Sequence, residues 1–347
     1  MGPRVLLGVN RSSTAAELLP KLLARAGCRT TLVAPSRALV AKSYLVEKRR
    51  LTPATMAGYL AEFRDELLTG EYSWAILADG AHWLGLWATC GRRALEPWSP
   101  VPFDDPNGHV VFSHHAFLER AHACGVPVSG GQPQGVTEVL YDRGRPMCWI
   151  SSLFVEGRAS RRIVGSNALD AIVDRVGLLS RFHGFATIGW TRDSEGAHAV
   201  CGFKPGPAGG YALTPKAEAA FAAAIRAMLS NDSNYGPYAV AATPGIVPVT
   251  PDYGVFLAEH IVESSPESWA RFAMMLARIP YRDPSIAAEH LRVAFSFVFN
   301  GLGALQRAGR EAARRKRSLT AAPSPSSRGA TTTIASEPSS SAARMSA

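Results

Sequence analysis

Three short apolar runs alternate with two helical patterns in the first hundred residues, and this alternation constrains the fold most. Val5-Leu-Leu-Gly-Val9, Thr30 to Ala34 and Trp74 to Ala78 read as buried strands. After the first, Thr14-Ala-Ala-Glu17 has the spacing of a capping box, apolar residues follow at helical intervals to Ala26, and Gly27 is the stop. After the second, Pro53 to Leu68 is amphipathic, with Met56, Leu60, Phe63 and Leu67 predicted on one face and Gly70 ending the helix. Strand, helix, strand, helix, strand predicts a parallel sheet with right-handed crossovers. Ligands of such sheets sit beyond the carboxyl ends of the strands. The polar turn from Asn10 to Thr14 and the residue Asp79 both fall there, so Asn10 and Asp79 are candidate ligand-binding residues.

The chain then changes character. Pro97 to Pro106 is a Pro-rich link, and Ser113 opens a helix running to about Cys124, followed by Gly125-Val-Pro-Val128. Pro146 to Val155 reads as a strand, and Asn167 to Phe182 as a helix with Leu169, Ile172, Val173, Val176 and Leu179 in phase. Phe185 to Thr191 and Ala197 to Phe203, joined by Asp193-Ser-Glu-Gly196, predict an antiparallel hairpin. An Ala-rich helix spans Ala217 to Leu229, and residues 230–255 are loop-rich. Two more helices are expected over Pro266 to Ile279 and Ser285 to about Arg317, and the Ser/Pro/Ala/Thr tail from Ser318 has the composition of a disordered segment. The expected organisation is an α/β domain over 1–95, an α+β domain over 96–215, a helical region over 216–317 and a tail over 318–347.

The net charge of +9 belongs mostly to one segment. Arg307, Arg310, Arg314, Arg315, Lys316 and Arg317 against Glu311 leave +5 in eleven residues, and the tail adds +1. The remaining body carries only +3, too little for a basic nucleic-acid-binding face, so a nucleic-acid partner is excluded. Five widely spaced cysteines without a Cys-x-x-Cys pair argue against a zinc ribbon or disulfide scaffold and for a reducing compartment. No apolar run reaches the length of a membrane span, and Val5 to Val9 is too short for a signal-peptide core. Leu6 interrupts a myristoylation signal at Gly2. A cytoplasmic protein is expected. The apolar stripe Leu291, Phe295, Val298, Phe299, Leu302 and Leu305 runs into the basic segment 307–317. Self-docking of this helix is the favoured reading, and an anionic membrane surface at the inner face of the membrane, or a protein partner, is the alternative.

The order of elements over residues 1–215 resembles the ATP-grasp superfamily of ATP-dependent carboxylate–amine ligases. The resemblance rests on the Ser113-His114 helix start, Gly125-Val-Pro-Val128, Phe182-His-Gly-Phe-Ala-Thr-Ile-Gly-Trp190, Arg192-Asp-Ser-Glu-Gly196 and Cys201-Gly-Phe-Lys-Pro205. It implies a reduced ATP-grasp-like domain over 96–215, behind an N-terminal domain of the kind that precedes it. The departures are specific. His114 stands where the family has a nucleotide-binding Lys. Only seventeen residues, none of them Lys, separate Pro127 from Arg145, where the family inserts a lid carrying a second such Lys. Gly189 replaces an acidic residue, and Gly202-Phe-Lys-Pro-Gly206 stands where the family has Glu-x-Asn-Pro-Arg.

These changes have direct chemical meaning. Mg²⁺ is held by hard oxygen ligands. Gly189 and Gly202 remove two carboxylates, and Lys204 puts a cation where a metal-binding amide would sit. Phosphoryl transfer is mostly positioning and charge neutralisation, so little of that machinery is left. Lys204 reads either as one exposed lysine after a strand or as a cation that takes over the metal's charge and holds an anion. Arg158, Arg161 and Arg162, after the strand ending near Glu156, read as a solvated basic loop or as partners of Lys204 in that role. The candidate ligand-binding residues are Lys204, Arg161, Arg162, Asn10, Asp79 and His114. No metal ligands are assigned, since His109, His114, His115 and His122 lack the spacing of a zinc helix. No Gly-x-Ser-x-Gly elbow, Gly-rich phosphate loop or activated Cys is present, and no catalytic residue is assigned. Trp83, Trp87 and Trp98 read as core packing, with a substrate-stacking wall as the sharper alternative. The expected function is a small-anion- or nucleotide-binding accessory protein in a biosynthetic pathway, without the usual ligase catalysis. ATP is a candidate ligand and Mg²⁺ is disfavoured. The alternatives are an active ATP-dependent carboxylate–amine (C–N) ligase with a rearranged site, and a membrane or protein-interaction scaffold.

Overall fold

The structure, a computed structural model, describes residues 2–248 apart from 12, 54, 106–107, 156–159 and 244. Contacts divide the chain into two units, Met1–Val293 and Ala294–Ala347, and the second lies wholly outside the described residues. The expected helices over 266–279 and 285–317, the tail, the basic segment 307–317 and Arg158 also lie outside them. Among the described residues no helix is long and apolar enough to cross a membrane.

The first sheet consists of β1 (Arg4–Gly8), β2 (Arg29–Pro35), β3 (Lys48–Thr52) and β4 (Trp74–Leu77) in the order β3-β2-β1-β4, all parallel. The apolar runs of β1, β2 and β4 are buried, as parallel strands covered on both faces must be. The strand β3 departs from the sequence expectation. Its Lys48-Arg-Arg-Leu-Thr52 carries no apolar alternation because it is the exposed edge, where charge discourages further pairing. Lys48 and Arg50 each reach back 2.7 Å to Glu66. Burial pushes the Glu66 carboxyl up, but hydrogen bonds from Lys48, Tyr72 and Arg50 outweigh it and hold the group down at about 2.

The helices α1 (Thr14–Arg25), α2 (Met56–Thr69) and α3 (His82–Cys90) connect and flank these strands. The cap of α1 is Ser13 rather than Thr14. The Ser13 side chain accepts from the Ala16 amide at 3.2 Å, which puts Glu17 one residue too deep to close a capping box. On α2 the buried face is Tyr59, Leu60, Phe63 and Leu67. Met56, expected among them, is the first residue of the helix and is exposed at the sheet's end. The Trp-rich stretch forms α3, and buried Trp83 packs edge-on against Phe63, so it serves the core.

The second sheet follows α4 (His114–Ala123). It contains β5 (Gly135–Asp142), β6 (Arg145–Val155), β7 (Ser160–Val164), β8 (Gly184–Arg192), β9 (His198–Pro205), and two short strands, β10 (Tyr238–Ala239) and β11 (Val247–Pro248). The order is β11-β7-β6-β5-β8-β9, with β10 against β6. The expected β8–β9 hairpin is antiparallel. The short β10 and β11 fall in the segment expected to be loop-rich, and two longer strands were not foreseen either. β5 lies between β6 and β8 and takes up eight of the seventeen residues between Pro127 and Arg145, which leaves no room there for an inserted lid domain. β7 takes the segment read as a basic loop. Neither shows clean alternation: β5 is buried on both faces and β7 begins Ser-Arg-Arg.

One face of this sheet packs Val139, Ile188 and Trp190 against Val173 and Val176 of α5 (Asn167–Ser180). The other shares a core with the first sheet, where Leu140, Ile150 and Phe185 meet Phe221 of α6 (Pro215–Leu229) and Leu19 and Leu23 of α1. Each such fully buried side chain contributes roughly 1.5–3 kcal/mol. Lys21 of α1 pairs with Glu218 of α6 at 2.7 Å, and the Tyr211 hydroxyl donates to the Ala15 carbonyl. These ties hold the carboxyl ends of β1 and β4 against the end of β9.

Candidate functional site

Two chain segments make the closest approach at that junction. A Cβ at Gly80 would lie 2.4 Å from the Cβ of Pro205, and one at Gly206 would lie 2.9 Å from the Ala78 carbonyl oxygen. Only glycine permits this contact, and Gly206 also adopts a φ of +108°. The contact sets Lys204, at the end of β9, beside Asp79, at the end of β4. Between them opens a cleft of about 730 Å³ lined by Asn10, Arg11, Ser13, Asp79, His82 and Lys204, among others. Ser13 caps α1, so the unpaired amides of that helix's first turn lie at the cleft.

Arg11 and Lys204 form no ion pair among the described residues, and Asp79 is the carboxylate among the cleft's lining residues. Asp79 accepts from the Ala81 amide at 3.2 Å and lies 3.9 Å from His82 Nε2. Burial pushes the His82 imidazole down, while Asp79 pulls it up and Arg11 pushes it down. Among the described residues the buried Nδ1 of His82 has no hydrogen-bond partner. Neither has the hydroxyl of Tyr59, whose ring centroid lies 5.6 Å from that of His82. The cleft is therefore weighted toward positive charge and polar donors.

The wall of the cleft rests on one buried carboxylate. Glu138 on β5 accepts from the Ala208 amide at 3.2 Å and from the Gly210 amide, pinning the loop that brings Pro207 and Ala208 to the cleft. Burial pushes the Glu138 carboxyl up to about 7, against the pull of the Ala208 and Gly210 amides and of the Arg161 guanidinium.

Register decides which side chains share a face. Glu138 pairs with Thr187, and Thr187 with Lys204, so all three project from the same side of the sheet. Two residues away on that side, Gly189 and Gly202 are direct cross-strand partners. A Cβ at Gly202 would meet the His114 ring at 3.3 Å, and one at Gly189 would meet Cys201 Sγ at 3.3 Å. Neither glycine is demanded by a positive φ. The absence of side chains there is thus a property of the sequence, not a requirement of the backbone.

Of the six residues singled out from sequence, Asn10, Asp79 and Lys204 line one cleft, and exposed His114 sits over Gly202 on the adjoining surface. Arg161 and Arg162 do not line it. They occupy β7, four strand spacings from β9, or roughly 19 Å along the sheet. As neighbours in a strand they also point to opposite faces. Arg161 is half-buried over the Phe154 ring, and Arg162 is exposed. Arg11, Ser13, His82 and Glu138 escaped the sequence reading. Arg11 and Ser13 were within its reach, since both belong to the Asn10–Thr14 turn, whereas Glu138 required knowing that β5 is central.

The residues present do not fit Mg²⁺. Gly189 and Gly202 offer no side-chain oxygen, Lys204 repels a cation, and Glu138 is committed to backbone amides. Among the described residues no three His, Cys, Asp or Glu side chains come together as metal ligands.

Among solved structures, the chain is similar to N5-carboxyaminoimidazole synthetase from Staphylococcus aureus, at 11% identity and a TM-score of 0.52, over 77% of this chain and 87% of that one. It is also similar to the phosphoribosylaminoimidazole carboxylase ATPase subunit from Aquifex aeolicus, at 11% identity and a TM-score of 0.49, over 70% and 78% of the two chains. L-amino acid ligase from Bacillus licheniformis matches at 11% identity and a TM-score of 0.47, over 68% and 78%. No family model and no curated protein matches the chain. The likeness to the Staphylococcus protein shows the fold alone, a parallel-sheet α/β part followed by an antiparallel sheet with helices.

Proposed function

We propose that this chain is a lidless ATP-grasp-type protein that binds a small anion in the cleft beneath Lys204 and does not carry out Mg²⁺-dependent ligation. The observation that carries the reading is the bare Gly189–Gly202 pair beside Lys204. A carboxylate-lined surface would gather metal and phosphates together. A surface with a lysine, Arg11 and a helix N-terminus attracts the anion alone. The seventeen residues after Pro127 build a connection and β5, so nothing there closes over a phosphoryl group to exclude water. The active-ligase alternative would need its metal ligands and its closure from elsewhere. The accessory role in biosynthesis and the cytoplasmic location belong to the same proposal.

Thermal shift and calorimetry on the full chain test this with inorganic phosphate, acetate and MgATP, alongside an ATP-turnover assay with Mg²⁺ and carboxylate–amine pairs. An anion should stabilise the protein, and Lys204→Ala should weaken that binding by about 1–3 kcal/mol, the scale of a charge-assisted hydrogen bond. MgATP turnover by the purified protein would overturn the reading in favour of the ligase. Anion binding unchanged in Lys204→Ala would remove the cleft from it.

A further inference from the structure

A second cleft, of about 360 Å³, lies along the Pro-rich link and is lined by Glu96, Phe103, Asp104, Arg143, Arg181 and His183, among others. Its two arginines occupy unusual backbone positions. Arg143 has a φ of +50° and Arg181 a φ of +46°, and of the described residues other than glycine only Asn231 joins them in the left-handed region. Arg143-Gly144 is the two-residue turn between β5 and β6, where Asn-Gly is the favoured pair. Arg181 ends α5 in the position that glycine usually takes, its amide bonded to the Gly177 carbonyl at 2.8 Å. An arginine costs free energy in both places that glycine or asparagine would spare.

The same turn brings the two arginines together. A Cβ at Gly177 would lie 2.1 Å from the Gly144 carbonyl oxygen, so the β5–β6 turn rests on the last turn of α5 with no side chain between. The Gly144 amide donates to the Phe182 carbonyl at 2.7 Å. Beside them, His183 holds Asp142 through Nδ1 at 3.1 Å, and its amide donates to the Pro100 carbonyl, fixing the link against the cleft. Arg181 lies 3.8 Å from Asp104, while Arg143 has no ion pair among the described residues. Two guanidiniums, one of them beside Asp104, two carboxylates at Glu96 and Asp104, and exposed Phe103 with the neighbouring prolines line a cleft of balanced charge with an apolar part.

We propose that this cleft binds a small zwitterion, an α-amino acid with an apolar side chain. Arg143 and Arg181 take the carboxylate, Glu96 and Asp104 take the ammonium, and Phe103 with the neighbouring prolines covers the side chain. A dianion would be repelled by Glu96 and Asp104, and an isolated cation by the arginines. The site is separate from the Lys204 cleft and does not depend on its ligand.

Ligand-detected NMR and calorimetry on the full chain test the proposal with L-phenylalanine, using acetate and 2-phenylethylamine as probes that carry one half of the charge pattern. L-phenylalanine should bind saturably and both half-probes much more weakly. Arg143→Asn and Arg181→Gly should each weaken binding at least about tenfold, the scale of a lost charge-assisted bond. The melting temperature should stay level or rise, because both replacements relieve the backbone. Lys204→Ala should leave L-phenylalanine binding unchanged. Three results would overturn the proposal: no saturable binding of L-phenylalanine up to about 10 mM, equal binding of acetate, or a melting temperature that falls in both arginine variants with binding intact. Loss of binding in Lys204→Ala would move the ligand to the other cleft and equally reject the site.

Discussion

Replacing Glu138 with Gln tests how the cleft wall is held. An ordinary glutamate titrates at 4.5, and burial pushes Glu138 up to about 7. The protonated form is therefore favoured in the folded state, and its contribution is fully present below the unfolded value. As pH rises from 4.5 through 7 that contribution is lost, because ionising the buried group works against the fold. The complete gap corresponds to about 3 kcal/mol, most of which falls between pH 5 and pH 8. Glutamine cannot ionise. It still accepts one amide bond, but its own N–H₂ then faces the second amide of the Ala208–Gly210 pair, at a cost of about 1–3 kcal/mol. Urea denaturation of both proteins from pH 5 to pH 8 reads the effect. At pH 5 the variant should be the less stable, and at pH 8 the difference should have shrunk by about 2–3 kcal/mol or reversed. Taking the difference cancels the other titrating groups. Parallel stability curves for the two proteins would refute the reasoning, since they would mean that the carboxyl is not titrating in this range or is not buried against the loop.

Three further outcomes follow from the same geometry. Glu66 is held down at about 2, so its ion pairs stabilise the fold above 4.5 and are lost as pH falls through 2; Glu66→Gln should cost about 2 kcal/mol at pH 7, discounted for half-exposed Lys48 and Arg50, and about a quarter of that at pH 2.5, by chemical denaturation. Gly177→Ala, in a helix where alanine normally gains about 1 kcal/mol, should instead destabilise by about 2–3 kcal/mol, because the new Cβ would lie 2.1 Å from the Gly144 oxygen; a raised melting temperature would contradict the close packing. The Gly189→Glu/Gly202→Glu double variant should fold with a melting temperature within a few degrees of the parent, because each Cβ meets only a side chain at 3.3 Å, yet show no MgATP turnover while Lys204 remains and no lid is present.

The local periodicities of the chain determined most of the helices and the buried strands. Val5 to Val9, Trp74 to Ala78 and the 185–203 hairpin each state their own structure, because their apolar spacing matches one geometry and their boundaries are punctuated by glycine or a polar turn. The resemblance to the ATP-grasp superfamily implies that Gly189 and Gly202 stand where that family carries carboxylates, an expectation that rests on the order of sequence motifs. It did not reveal β3, β5 or β7. An edge strand carries charges, and a strand covered on both faces has no alternation, so pairing alone makes them strands. The site divides in the same way. Asn10 and Asp79 follow from the rule that ligands meet strand ends, but their meeting with Lys204 depends on Gly80 and Gly206 letting two distant segments touch. Arg161 and Arg162 looked like partners because they are adjacent in sequence. In a strand, adjacency is what separates them, and only the order of the sheet puts β7 on the far side from β9.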